Sequence, residues 1–298
     1  MKKRTGFIKL LPVFMAIIAV NPVGAQQSGL IIGAGVTNFL GDLGGKPGLG
    51  TNDPSDMNVR SLRYALTLGY RQHLTHWLAL RGNVYYARLS ADDKYTQNLE
   101  RRTRNLSFFS PLVQGMGVLE IYPGHGRRTY LFAGAGMFYF NPKTRMNGNV
   151  YTLRDYGTEG QYFMPGKSPY KQWAFSMPFG FGHRIASFRN GGVLNAELTM
   201  HKTTTDYMDD VSTTYVDKTQ LAASNGTTAV ALSDRSLPGI PSFSEPGNIR
   251  GNPRSNDNFA FLTFTYTQPL GAKSVGQGFG GRSKYGMKRR RDFCPNRF

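Results

Sequence analysis

Residues 62–71 alternate between large apolar side chains and small or cationic ones at every position. One face carries Leu62, Tyr64, Leu66, Leu68 and Tyr70, and the other carries Arg63, Ala65, Thr67, Gly69 and Arg71. A period of two is the spacing of a β-strand, whose successive side chains point to opposite faces. In a soluble sheet the apolar face covers a core, whereas Gly, Thr and Arg opposite it suit the polar lumen of a membrane barrel. The segment therefore predicts a barrel strand with lipid outside.

Seven further segments with alternating faces extend this prediction to the whole chain. The expected strands are 30–39, 62–71, 78–86, a strand within 106–121, 130–140, 173–184, 193–203 and 259–267. The links after the second, fourth and sixth strands are short, whereas the others run to about 20, 17, 32 and 55 residues. This alternation is typical of outer-membrane barrels, with short periplasmic turns and long extracellular loops. We expect an all-β, eight-stranded antiparallel transmembrane barrel of OmpA-like size with both termini in the periplasm.

Two prolines interrupt the predicted strands. Because proline removes a ladder hydrogen bond, we expect β-bulges at Pro111 and Pro178.

The composition excludes other classes of protein. With 40% hydrophobic residues, the chain is too apolar for a disordered protein. No apolar run of about 18 residues follows the N-terminal segment, which disfavours a helical membrane bundle. A single Cys cannot supply a disulfide framework.

The N-terminal segment sets the expected compartment. Residues 1–25 have the layout of a secretory signal peptide, with four cations before an apolar run over 10–20 and small residues up to Ala25. We expect cleavage after Ala25, a barrel over 26–270 and a basic periplasmic tail over 271–298. Export argues against a nucleic-acid partner despite the formal charge of +18.

Charged residues on the polar faces of the strands predict a plugged lumen. Eight strands enclose an interior just wide enough for side chains to fill it. Uncompensated charge there would be costly, so we expect an Arg–Glu network rather than a porin channel, and we rank a proton or ion path below it. The expected network comprises Arg63, Arg71, Arg81, Glu120, Arg184 and Glu197.

No catalytic, cofactor or metal site emerges from the sequence, and we expect no enzyme. Of the five His, only His201 approaches the predicted extracellular rim, near Asp206, Asp209 and Asp210. A His–Asp arrangement at such a rim is the form that a small barrel hydrolase would need. Polar residues at a rim usually only solvate loops, and this is the interpretation that we favour.

Several loop segments point to a family. They are 35–45 (GVTNFLGDLGG), 206–217 (DYMDDVSTTYVD), Arg250-Gly251-Asn252-Pro253 with Asn256-Asp257, and the terminal Cys294-Pro295. Together they resemble the PorG-like outer-membrane barrels of the type IX secretion system, over essentially the whole mature chain. The resemblance implies a non-enzymatic membrane component associated with a periplasmic ring of a PorK-like lipoprotein and a PorN-like protein. A stand-alone structural or adhesive OmpA-like barrel, acting through its extracellular loops, stays open as the alternative.

The acidic segment has two interpretations. Its residues are Asp206, Tyr207, Asp209, Asp210 and Asp217, with hydroxyl residues between them. Hard cations such as calcium favour oxygen ligands, yet the spacing does not match an EF-hand loop. We favour local side-chain-to-backbone hydrogen bonds that fold the loop over the barrel mouth.

A basic group near the outer end of the fourth strand suggests lipid contact. Lys94, Arg101, Arg102 and Arg104 would lie beside the anionic outer leaflet. Contact with lipopolysaccharide phosphates and a merely solvated loop are equally compatible with the sequence. Outer-membrane lipid is therefore an expected partner.

The tail over 271–298 holds eight cations against Asp292, a formal charge of +7 (8 − 1). Its Gly-rich start argues for a flexible linker, and an odd Cys in an exported protein suggests intermolecular pairing. We expect the tail to bind the periplasmic ring: basic residues steer, Phe293 and Phe298 anchor, and Cys294 forms an intermolecular disulfide with the lipoprotein. The expected partner-binding residues are Lys288, Arg289, Arg290, Arg291, Phe293, Cys294, Pro295 and Phe298. A disordered tail attracted to anionic lipid is the alternative.

Overall fold

The computed structural model describes residues 28–44, 59–96, 98–124, 126–238 and 243–270. The expected signal peptide over 1–25 and the basic tail over 271–298 lie outside the described residues. Predictions that concern those two segments therefore stay predictions.

Across these residues, ten strands form one antiparallel sheet, and eight of them close a barrel. The barrel strands are β1 (Ser28–Leu40), β2 (Arg63–His73), β3 (Leu78–Asp92), β4 (Ser107–Ile121), β5 (Thr129–Phe140), β8 (Trp173–Ser187), β9 (Val193–Thr203) and β10 (Asn258–Leu270). Each strand pairs with its neighbour in the chain, and β1 pairs with β10 from Ser28↔Leu270 to Leu40↔Asn258. The predicted eight-stranded barrel is confirmed.

The remaining elements belong to the long loops. A hairpin of β6 (Lys143–Met146) and β7 (Asn149–Thr152), which the sequence analysis did not predict, joins β4 through a single pair. The helices are α1 (Leu99–Arg104), α2 (Lys218–Asn225) and α3 (Thr227–Ser233), with 3-10 turns at Val59–Ser61, Asp93–Tyr95 and Leu153–Tyr156. Side chains set two helix starts, because Asn98 caps α1 and Asp217 caps α2 by accepting backbone N–H bonds. None of the helices in the described part of the chain has the length and apolarity to cross a membrane.

The two ends of the barrel differ in their connections. At one end, here called the turn end, short links join β2 to β3, β4 to β5 and β8 to β9. The opposite loop end carries the long connections 41–62, 93–106, 141–172 and 204–257. Ser28 and Leu270, the outermost residues of β1 and β10, both lie at the turn end. The predicted alternation of short and long connections is confirmed.

The barrel wall is apolar outside and polar inside. Leu68 and Phe175 are each 64% exposed on the outer surface, whereas Arg81 and Glu197 inside are fully buried. A soluble protein distributes these residue types the other way round. Near the loop end the interior becomes aromatic, and this cluster continues into the loops through Met208. The outer surface is therefore suited to lipid, and the core lies inside the barrel and the loops above it.

Neither Pro111 nor Pro178 carries the β-bulge that we expected, so that prediction was wrong. Pro111 is paired in register with β3, and the pairing of β4 with β5 begins only at the next residue. Pro178 is paired in register with β9, while the ladder between β8 and β5 leaves a gap beside it. The backbone N–H that each proline lacks would therefore lie where one neighbouring strand is not paired. The strands can stay in register without the inserted residue of a bulge. The register shift of β8 lies between Arg184 and Ala186.

Candidate functional site

Four charged side chains from four strands meet inside the lumen. Arg71 Nε lies 2.7 Å from Glu120 Oε2, and Arg81 Nε lies 2.7 Å from Glu120 Oε1. Arg81 Nη1 also lies 2.6 Å from Glu197 Oε2, and none of the four side chains is more than 4% exposed. With two charges of each sign the group is neutral. It fills the cross-section of a barrel whose interior has room only for side chains.

Hydroxyl groups complete the coordination of the two carboxylates. Tyr122 donates to Glu120 Oε2 at 2.7 Å, and Tyr130 and Thr265 donate to Glu197 Oε1 at 2.5 and 2.9 Å. Arg81 also lies over the ring of Phe132, 4.7 Å from its centroid. A buried ion pair is tolerated best when further hydrogen bonds satisfy the remaining polar atoms. These partners supply them to the two carboxylates, whereas Arg81 Nη2 has no hydrogen-bond partner among the described residues. We call these four charged residues and their hydroxyl partners the lumen plug.

Two residues expected in the same network lie apart from it. Arg63 stands at the loop end of β2, where its Nη1 donates to the backbone carbonyls of Arg60 and Leu62. Arg184 is half-buried at the turn end and forms no ion pair with any carboxylate of the described residues. Strand parity places both side chains on the inner face, but parity does not fix their height along the barrel axis.

As expected, His201 lies near the loop end, two residues before β9 ends at Thr203, but its side chain points into the barrel interior. The imidazole is fully buried and stacks on Phe259 with ring centroids 4.3 Å apart. Its Nδ1 is 3.0 Å from the amide nitrogen of Gln114. These contacts are those of a residue packed in an aromatic layer of the core.

The long loops fold together into a compact structure over the loop end, which we call the loop cap. It consists of the described residues of 41–62, 93–106, 141–172 and 204–257. Met208, Val211 and Leu232 are at most 1% exposed there and pack with the aromatic cluster of the barrel. The cap therefore continues the core of the protein and closes the loop end.

The three loop segments that carry the family resemblance meet in this cap. The backbone N–H of Asn252 donates to Asp42 Oδ2 at 2.6 Å, which joins the first segment to the third. Leu43 N donates to Asp209 Oδ2 at 3.1 Å and joins the first segment to the second. Arg250 Nη1 donates to the carbonyl of Asp210 at 2.6 Å. Segments distant in sequence thus form one polar cluster.

Glu159 is the centre of this cluster, and the sequence analysis did not identify it. The carboxylate is fully buried and lies 2.8 Å from Arg250 Nη1. It also accepts hydrogen bonds from Ser212 N at 2.9 Å and from the hydroxyl of Thr213 at 2.7 Å. Glu159 therefore ties the 141–172 loop to the 204–257 loop.

Arg104, which is paired with Asp93 in its own loop, ties the 93–106 loop to the same cluster. Arg104 Nε lies 2.8 Å from Asp93 Oδ2, and its Nη2 donates to the carbonyl of Asp42 at 2.7 Å. Arg101 donates to the carbonyl of Gly44. Arg101 and Arg104 are at most 7% exposed, so the expectation that they lie beside lipid was wrong, whereas Arg102 is exposed. Arg101 and Arg104 point inward because buried carboxylate and carbonyl oxygens accept their hydrogen bonds.

The acidic segment makes side-chain contacts within the cap. Asp210 accepts from the hydroxyls of Thr158 at 2.5 Å and Tyr170 at 2.7 Å, while Tyr207 stacks on Tyr170 at 4.8 Å. Asp217 accepts from a backbone N–H at the start of α2. The Asp217 contact is of the local side-chain-to-backbone kind that we favoured over a calcium loop, whereas those of Asp210 and Tyr207 join side chains of different loops. Within the described ranges, no group of three or more His, Cys, Asp or Glu side chains could hold a metal ion.

We expect the loop cap to become less stable as the pH rises. Burial raises the pKa of Asp206 to about 8 and that of Asp210 to about 6, from an ordinary value of 3.8. Between pH 4 and pH 8 these carboxyls keep their protons in the folded cap but lose them when the cap opens. The free energy that favours the closed cap therefore falls as the pH rises from about 4 to about 8. Proteolysis of the 204–257 loop in the folded protein should be faster at pH 9 than at pH 6. Asp206→Asn should reduce the difference in proteolysis rate between pH 6 and pH 9. The control Asp155→Asn, at an exposed position, should leave that difference unchanged. If Asp206→Asn also leaves it unchanged, Asp206 is not the group responsible.

A closed antiparallel barrel with an apolar exterior, a charged interior and one capped end is a transmembrane β-barrel of the outer-membrane type. No family model and no curated protein matches the sequence. Among solved structures, the chain is similar to Ail, the attachment invasion locus protein of Yersinia pestis, in complex with the heparin analogue sucrose octasulfate. That similarity has 8% identity and a TM-score of 0.39, and covers 83% of this chain and 100% of that one. It is also similar to the Yersinia pestis outer membrane protein Ail in a phospholipid bilayer nanodisc, with 11% identity, a TM-score of 0.31 and coverage of 82% and 99%.

Proposed function

We propose that this chain is a non-enzymatic outer-membrane component of the type IX secretion machinery. In this role it anchors or positions a periplasmic ring of a PorK-like lipoprotein and a PorN-like protein through its C-terminal tail. The observation that carries the proposal is the convergence of the three resembling segments. Residues 35–45, 206–217 and 250–257 are far apart in sequence, yet each contributes contacts to one buried cluster. Segments that contact one another in the fold support the proposal more strongly than three unconnected short matches would.

The lumen plug supports a role other than transport through the barrel itself. Arg71, Arg81, Glu120 and Glu197 are tightly paired across the interior, and the loop cap covers the other end. A barrel of this size that is filled by side chains offers no aqueous path. Its function is then exerted through its surfaces, as expected of an anchor.

The proposed orientation puts the turn end in the periplasm. Short turns face the periplasm in bacterial outer-membrane barrels, and long loops face outward. Because β10 ends with Leu270 at the turn end, the tail over 271–298 continues from that side. The tail, with its formal charge of +7 (8 − 1), would therefore enter the compartment where a periplasmic ring lies.

Two variants test the proposal. A chain ending at Gly286 lacks the basic and aromatic terminus, so we expect it to lose most of the ring when the barrel is purified from detergent-solubilised membranes. Cys294→Ser should abolish a slower-migrating adduct with the lipoprotein on non-reducing gels. Retention of the ring at full yield by the shortened chain would contradict docking through the tail. Absence of any adduct in the wild type would contradict the disulfide.

A further inference from the structure

The turn end of the barrel is basic and holds almost no acidic residues. Its connecting segments 74–77, 122–128 and 188–192 contain Arg127, Arg128 and Arg189 but neither Asp nor Glu. Arg128 and Arg189 are exposed there. Short links usually mix charges of both signs on a soluble surface. A surface of one sign favours approach of partners with the opposite charge.

A cavity of about 70 Å³ opens at this end, inside the barrel wall. Its lining includes the guanidinium-bearing residues Arg71, Arg127 and Arg184, together with His73 and Asn195, and no acidic residue. The volume suffices for a few water molecules or one carboxylate group. The cavity is thus a small polar pocket whose charged lining is entirely cationic.

The charges around this pocket do not cancel. Arg71 and Arg81 are matched by Glu120 and Glu197 in the lumen plug, which leaves Arg127 and Arg184 as an excess of two positive charges (4 − 2). Among the residues that the structure describes, the buried donor Arg184 Nε has no hydrogen-bond partner. A buried unmatched donor is costly, and an anion in the pocket would remove that cost.

We infer that the turn-end mouth is a carboxylate-binding site that receives an Asp or Glu side chain from an acidic segment of a protein partner. Arginine is suited to this task because its planar fork donates two parallel hydrogen bonds to one carboxylate. Lipid would contact the apolar outer wall, whereas the pocket is lined from inside the barrel by Arg71, Tyr130 and Asn195. A soluble chain that approaches along the axis reaches it. The identity of the partner as a periplasmic ring protein rests on the proposed function, but the binding site itself does not.

Titration of the purified full-length chain in neutral detergent with a labelled hexaglutamate peptide tests the inference. At low ionic strength we expect binding of hexaglutamate and none of hexaglutamine. Arg184→Gln should weaken binding about tenfold, the cost of one lost charge-assisted hydrogen bond. Arg184→Lys keeps the charge and should retain most of the affinity. Because the basic tail is present in every variant, its own attraction for the peptide is the same throughout.

The matched control is Arg102→Gln, which removes an exposed arginine at the loop end and should change affinity by less than about twofold. Heat-modifiable migration on gels verifies that each variant is folded. Equal affinity of folded Arg184→Gln and wild type would overturn the inference. So would co-purification of phosphatidylglycerol that depends on Arg184 while peptide binding does not. A wild-type chain that binds hexaglutamate through Arg184 but retains no ring would support the site and overturn the secretion role.

Discussion

Glu197→Gln is expected to destabilise the folded barrel by about 3–5 kcal/mol, because it breaks a buried ion pair and leaves its partner uncompensated. Glu197 is fully buried, lies 2.6 Å from Arg81 Nη1 and accepts hydrogen bonds from Tyr130 and Thr265. Its loss leaves two guanidinium groups facing the single carboxylate of Glu120. Urea unfolding in detergent micelles, followed by tryptophan fluorescence and heat-modifiable migration, measures the change.

A charge-balanced variant separates this effect from a loss of packing. Arg81→Met combined with Glu197→Met leaves the Arg71–Glu120 pair neutral, so it should be less destabilised than Glu197→Met alone. The exposed Glu245→Gln on a loop serves as the surface control. If Glu197→Gln unfolds within about 1 kcal/mol of wild type, the lumen plug contributes little to stability.

Glu159→Ala should open the loop cap while leaving the barrel folded. The substitution removes the partner of Arg250 and the acceptor of Ser212 N and of the Thr213 hydroxyl, all inside the cap. Arg250 keeps a longer contact with Asp210 Oδ2 at 3.9 Å. Breaking a buried ion pair costs up to about 3–5 kcal/mol, which we expect to appear as increased local opening of the cap. Hydrogen exchange should accelerate in 141–172 and 204–257, with little change in the barrel strands.

Glu245→Ala is the matched control for this experiment, since Glu245 is exposed in the same 204–257 loop. It should leave exchange in both loops unchanged. Equal protection in Glu159→Ala and wild type would contradict the central role of Glu159. Loss of protection in cap and barrel together would contradict the view that the cap opens separately.

The strands could be predicted because a barrel wall imposes a strict period of two on the sequence. In 62–71 apolar and polar side chains alternate at every position, so each residue can be assigned to the outer or the inner face. The inward direction of Arg71 follows from this alternation alone. The same logic assigned Arg63 and Arg184 to the interior but not to a height in it. Partner choice depends on that height, and only the register between strands determines it. This is why the expected network was larger than the one observed.

The loop cap could not be predicted in this way, because its contacts join residues without any periodic spacing. Glu159 and Arg250 are 91 positions apart, and Arg104 reaches carbonyls of two other loops. Asp42, Arg250 and Asp257 came to notice only through the resemblance of their segments. Glu159 and Asp93 carry no local signal, since a lone carboxylate in a long loop resembles a solvated residue. Tertiary burial gives these residues their importance.

The pairing of β1 with β10 makes the first and last strands of the barrel a single seam. Their register runs from Ser28↔Leu270 to Leu40↔Asn258, so the whole barrel sequence lies between the two sides of the seam. Until the last strand arrives, the sheet keeps two free edges, each a template for pairing with another chain. Pairing of β1 with β10 is also expected to be slow, because it brings together segments from the two ends of the barrel sequence. We therefore expect the chain to expose a free β1 edge, open to pairing with other chains, until residues 258–270 have paired with it.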